Sequence, residues 1–155
     1  MTAFETLPAT SIAHDEKLLD NAALSPARRP LRSLGAVLAG LLVTFAVTTA
    51  TDLALHALSV FPPFGVVMSD TLFVLALAYR VPFNIAGSYV TARLAPRDPL
   101  RHALALGLTG SHIATLDAMA MWKFGPAWYS LANIAVALPC AWAGGRLRVR
   151  GALRS

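Results

Sequence analysis

Asp52, His56, Arg80, Asn84, His112 and Asp117 are polar side chains set inside long apolar stretches, and any chemistry in this chain starts with them. An arginine at bilayer depth is costly unless it meets an acid, a backbone carbonyl or a water-filled cavity, so the partner of Arg80 is the first question. Asp52 and His56 stand four residues apart and share one face of a helix. A histidine next to a carboxylate can take up and release a proton near neutral pH. Arg80, Asn84, Ser88 and Thr91 fall along one side of a second helix. Facing both stripes inward satisfies most of these groups together, so the pattern predicts a polar seam between helices.

Other chemistries fit these residues less well. Asp52, His56, His112 and Asp117 have the right donor types for a metal, but they fall at two depths and form no tight motif such as His-Glu-x-x-His. Bis-histidine haem between His56 and His112 meets a depth mismatch of ~9 Å. Neither a metal nor a cofactor is therefore expected. Cys140, the single cysteine, lies in an apolar run, which excludes an intramolecular disulfide, dithiol chemistry and a cysteine-rich metal site. No nucleophile–base pair or phosphate loop stands out, so catalysis is not expected.

The elements that must position these residues are helices. Of the 155 residues, 56% are hydrophobic and 14% charged, and the mean hydropathy of +0.59 exceeds that of an ordinary soluble domain. A spanning helix needs ~20 mostly apolar residues. Residues 34–60, 70–94, 103–122 and 128–145 each approach or exceed that length. The expected fold class is all-α, an integral membrane four-helix bundle over residues 32–147. Residues 1–31, with Pro8, Pro26 and Pro30 and mixed charge, read as a flexible cytoplasmic tail. Residues 148–155 read as a basic cytoplasmic tail. The first apolar stretch starts too late and runs too long for a cleaved signal peptide, so it is expected to stay as an anchor.

Arginines set the orientation. Arg28, Arg29 and Arg32 precede the first span, Arg93, Arg97 and Arg101 join the second to the third, and Arg146, Arg148, Arg150 and Arg154 follow the fourth. The connections 59–69 and 123–127 hold a single lysine, Lys123. Basic flanks stay cytoplasmic, which predicts both termini inside and these two connections outside. The net charge of +5 thus belongs to membrane flanks and not to a nucleic-acid surface, since no aromatic-interleaved basic face accompanies it. The expected partner is the lipid bilayer, with a homodimer or a membrane-complex partner left open. Phe61, Phe64, Trp122, Phe124, Trp128 and Tyr129 suit an aromatic belt at headgroup level, with an outward-facing aromatic cleft as the alternative.

Depth gives a first choice of partner for Arg80. Measured from the outer end of each helix, Asp52 lies ~12 Å in, Arg80 and His112 ~15 Å, and His56 and Asp117 ~6 to 8 Å. Asp52 is therefore the favoured partner, with Asp117 as a second contact for a long side chain. Such a pair either clamps helix register or forms a proton- or anion-responsive site. Small residues mark packing stripes at Ala103, Gly107, Ser111 and Thr115, and at Asn133, Ala137, Ala141 and Gly145.

Several strings resemble an uncharacterised family of small four-span bacterial inner-membrane proteins. They are TDLALH, FPPFG and MSD within 51–70, AYR at 78–80, ARLAP at 92–96, RHAL at 101–104, GPAWY at 125–129 and LPCAWAGGRL at 138–147. The resemblance implies four spans and a bacterial inner membrane, and it brings no activity. The expected function is that of a non-enzymatic structural or accessory membrane component. A small oligomeric transporter or ion-linked carrier is the alternative, and a metal- or haem-dependent enzyme comes third.

Overall fold

The structure, a computed structural model, describes residues 28–153. Four helices make up the described residues, with no strand among them. They are α1 (Arg28–Ala57), α2 (Asp70–Leu94), α3 (Pro99–Met121) and α4 (Ala127–Ala152). Helix α2 has the bounds expected of it. Helix α1 starts within the segment read as tail, which places residues 28–31 in the helix; the remainder of that tail, 1–27, lies outside the described residues. Helix α4 runs past Gly145, so residues 148–152 are helical as well. The Arg146-Leu-Arg-Val-Arg run contains no breaker, and the Arg146 guanidinium lies over the Trp142 ring at 4.7 Å one turn earlier. Pro82 and Pro139 sit inside continuous helices.

Helix α2 is the centre of the arrangement, with α1 on one side and α4 on the other. Helix α3 packs chiefly on α4 and touches α1 and α2 more lightly, while α1 and α4 make no contact. The cross-section is a rhombus with α2 and α3 on its short diagonal. The α1–α2 and α3–α4 connections lie at one end, here the two-loop end. The α2–α3 connection and the outer ends of α1 and α4 lie at the other, the terminal end.

Small residues close the terminal end. A Cβ on Gly144 of α4 would stand 2.5 Å from the Ile85 carbonyl oxygen and 2.8 Å from the Tyr89 nitrogen, both backbone atoms of α2. Gly87 of α2 lies equally tight against Thr44 and the Gly40 carbonyl of α1. The two expected small-residue stripes meet within the chain. Gly107 faces Ala141 and Ala137, Gly145 faces Ala103 and Leu100, and Ser111 Oγ donates to the Ile134 carbonyl at 3.4 Å.

At the two-loop end α1 stops abruptly. Ser59 adopts a left-handed φ of 57°, Ser59 N donates to His56 O at 3.0 Å, and Val60 N donates to Leu55 O at 2.9 Å. That pair of reversed bonds is a Schellman cap, which satisfies carbonyls the helix end would leave open. The cap turns the chain back so that Phe61 is buried beneath the helix end.

Candidate functional site

The site is built where the Schellman turn folds the α1–α2 connection over α2. Asp52 lies on α1 just before that turn, and Tyr79 and Arg80 are neighbours on α2. Adjacent helical residues diverge by about 100°, so an acid facing the groove between them can meet both. Asp52 does so. Arg80 Nη2 donates to Asp52 Oδ2 at 3.1 Å, and the Tyr79 hydroxyl donates to Asp52 Oδ1. Both carboxylate oxygens of α1 are thereby held by side chains of α2. The Arg80 and Asp52 side chains keep 27% and 30% of their exposure, so the pair is part-buried and open to one side.

A third helix completes the surroundings of Arg80. Its guanidinium lies 5.7 Å from the Tyr129 ring of α4, at a distance where cation–π attraction acts. Tyr129 also packs on Phe73 of α2, ring centres 4.8 Å apart. Helix α2 is thus tied to α1 by charge and to α4 by rings, within two turns.

His56, one turn beyond Asp52, is held differently. Its Nδ1 lies 2.8 Å from the Asp52 carbonyl oxygen, an acceptor, so Nδ1 is the donor of this bond. The Phe64 ring stacks on the imidazole at 4.1 Å, and Phe61 meets it edge-on at 5.4 Å. Pro62, Pro63 and Gly65, with a φ of 90°, shape the connection that carries these rings over the site. Beneath it lies a cavity of ≈ 170 Å³ lined by the polar group and by rings from three helices and both connections. Phe61, Phe64, Phe124 and Tyr129, suited by sequence to an aromatic belt or cleft, line this cavity, with Phe64 and Phe124 more than half exposed; Trp122 and Trp128 stand outside it.

The six residues singled out by sequence separate into two sets. Asp52, His56 and Arg80 come together. Asn84 lies deeper on α2, beside a smaller cavity of ≈ 30 Å³ that it shares with Thr44 and Ser88. His112 and Asp117 are exposed on α3, and His112 Nδ1 lies 2.8 Å from the Leu108 carbonyl of its own helix. Among the described residues, no three histidine, cysteine, aspartate or glutamate side chains gather as a metal ion would require. Sequence reasoning missed Tyr79 as a member of the site and placed Tyr129 only among the aromatics of a belt or cleft, not beside Arg80. The available signal was that a tyrosine inside an apolar helix needs a partner for its hydroxyl, and Tyr79 adjoins Arg80.

No protein-family model matches this chain, and neither a curated protein nor a solved structure matches it.

Proposed function

We propose that this chain is a multi-pass protein of a bacterial inner membrane, with both termini cytoplasmic, acting as a non-enzymatic structural or accessory component. In this reading all four helices cross the bilayer, and Asp52, Arg80 and Tyr79 lock α1 to α2 in one register. The observation that carries it is the double attachment of Asp52: each of its oxygens accepts from a side chain of the neighbouring helix. Two bonds from adjacent residues of α2 fix the register of α1 against it.

Support for the membrane comes from the surface. The segments Pro30–Ala57 and Asp70–Leu94 are long and apolar enough to span, yet only 11% and 22% of their most apolar windows are buried. A core helix of a soluble protein would be mostly covered. Leu42, Phe45, Leu116 and Met119, each more than 60% exposed, belong to an apolar surface wider than soluble monomers tolerate. Helices of the length of α3 and α4 measure ~35 Å or more, enough to cross a ~30 Å hydrocarbon core. His112 and Asp117 on the exposed face of α3 would then be covered by a second copy of the chain, since polar groups facing lipid are costly.

Two measurements test this reading. Cysteine introduced at Gly65, in a background where Cys140 is replaced by alanine, is expected to react with a membrane-impermeant thiol reagent in intact cells, and cysteine at Asp98 is not. The reverse pattern overturns the orientation. For the clamp, Asp52→Leu, Arg80→Leu and Tyr79→Phe are combined, so that no member is left unpartnered. Replacing a whole buried polar group with apolar side chains is often neutral, whereas breaking it is not. The triple variant is expected to approach wild-type thermal stability in detergent. Asp52→Asn alone is expected to lose on the order of 3 kcal/mol. A triple variant no more stable than Asp52→Asn overturns the clamp.

A further inference from the structure

Beyond the clamp, we propose that the cavity under the α1–α2 connection is a binding site for a small monocarboxylate with a flat apolar body, its carboxylate received by Arg80. The clamp does not exhaust Arg80. It meets Asp52 through one hydrogen bond from Nη2, although a guanidinium offers five N–H donors in a planar fork. Arg80 lines the cavity and keeps 27% of its side chain exposed, while its Nε, buried without a hydrogen-bond partner, leaves the cation incompletely satisfied. A cation with donors to spare attracts an anionic acceptor, and a carboxylate matches the fork better than a spherical ion does.

The rest of the cavity selects the ligand. Phe61, Phe64, Phe73 and Phe124 supply flat apolar walls, Phe64 and Phe124 at the open side, and the His56 imidazole is stacked on Phe64. A volume of ≈ 170 Å³ is small beside drug-sized pockets. It suits a single-ring body, since cavities of about 150 Å³ admit benzene. Asp52 beside Arg80 sets the charge: one negative charge on the ligand is tolerable, whereas a dianion such as sulfate would be repelled. The same pairing disfavours cations, because Arg80 occupies the place where an aromatic cage would receive one.

Benzoate is the probe, titrated calorimetrically into the purified full-length chain in neutral detergent at pH 7. Benzoate is expected to bind at least tenfold more tightly than its neutral isostere benzamide, and at least tenfold more tightly than sulfate. Phe64→Ala and Phe124→Ala remove cavity walls away from the clamp; each is expected to weaken benzoate at least fivefold while leaving the thermal transition near that of wild type. Arg80→Gln is expected to abolish binding, and the two phenylalanine variants keep the test valid if that protein does not fold. Equal binding of benzoate and benzamide overturns the role of Arg80. Equal binding by wild type and Phe64→Ala overturns the location. Laurate, below its micellar concentration, binding tenfold more tightly than benzoate would overturn the small-acid assignment in favour of a fatty acid drawn from the bilayer. The clamp is tested separately by the triple variant, so benzoate can fail to bind while the clamp stands.

Discussion

The two ends of this helix cluster are held by opposite means. At the terminal end, backbones touch: Gly144 lies on the main chain of α2, and Gly87 lies on that of α1. At the two-loop end, rings and a charged triad keep the helices apart, and a cavity of ≈ 170 Å³ remains between them. Backbone contact leaves no slack, because neither partner has a bond that can rotate to make room. Side-chain contact can re-pack, at moderate cost. The comparison therefore separates two duties: the terminal end fixes how the helices cross, and the two-loop end is free to carry polar groups and open space.

The largest expected effect breaks the terminal end. Gly144→Leu would drive a side chain into the Ile85 carbonyl, the Ser88 side chain and the Tyr89 nitrogen, so α4 must move off α2 as a body. The expected loss is about 3 kcal/mol or more, at the top of the range for overpacking, because backbone atoms cannot yield. Gly110→Ala is the matched control. A Cβ there meets nothing within 4 Å, and replacing a helical glycine contributes about 0.5 to 1 kcal/mol of stability. Thermal unfolding in detergent reads both. If Gly144→Leu melts with Gly110→Ala, the terminal end does not set the crossing.

A smaller effect is expected at the two-loop end. Tyr79→Phe removes the hydroxyl that donates to Asp52 Oδ1 and keeps the ring that packs on Phe83 at 5.7 Å. A hydrogen bond to a charged acceptor contributes about 1.5 to 3 kcal/mol, and the partial exposure of Asp52 puts this one at the lower limit. Water can replace the lost donor through the open side. Hydrogen exchange should quicken near Asp52 and Tyr79 and stay unchanged around Gly87 and Gly144. Uniform acceleration throughout the molecule would show that the two ends are not separable in this way.

The division between the ends also explains what the sequence discloses. Apolar runs and their lengths announce four helices, and the bounds of α2 follow from Asp70 and Leu94. The pairing of Arg80 with Asp52 is also legible, because both their depths along the helices and their inward direction agree. Depth alone misleads for His112 and Asp117. They share levels with the site residues, but α3 turns its Ala103–Leu106–Gly107 face to its neighbours and leaves His112 and Asp117 on the outside. Which way a residue faces depends on which stripe of its helix is smallest, and a glycine stripe wins where backbones must touch. The aromatic residues were hard to place for a different reason. Phe61 is turned inward by the chain reversal at Ser59, and Phe64 is laid over His56 while staying exposed; serine adopts that conformation far less readily than glycine or asparagine, so nothing in the local sequence announces it.

That reversal gives the smallest prediction and the finest test of the comparison. Ser59 holds a φ of 57° at the position of a Schellman cap where glycine is usual. A residue with a Cβ pays roughly 1 to 2 kcal/mol for the left-handed region. Glycine avoids that strain but loses more freedom on folding, a penalty of roughly 0.5 to 1 kcal/mol. Ser59→Gly should therefore stabilise the chain by a net of about 0.5 to 1 kcal/mol. Ser59→Val, with a branched Cβ, should destabilise it by a similar or greater amount. Because the turn seats Phe61 and Phe64 beside His56, Ser59→Val should also disturb the ring stack while leaving Gly87 and Gly144 in place. Thermal unfolding reports the first effect and the His56 ring proton shifts the second. An unshifted His56 spectrum in a destabilised Ser59→Val protein would mean that the cap and the cavity are built independently.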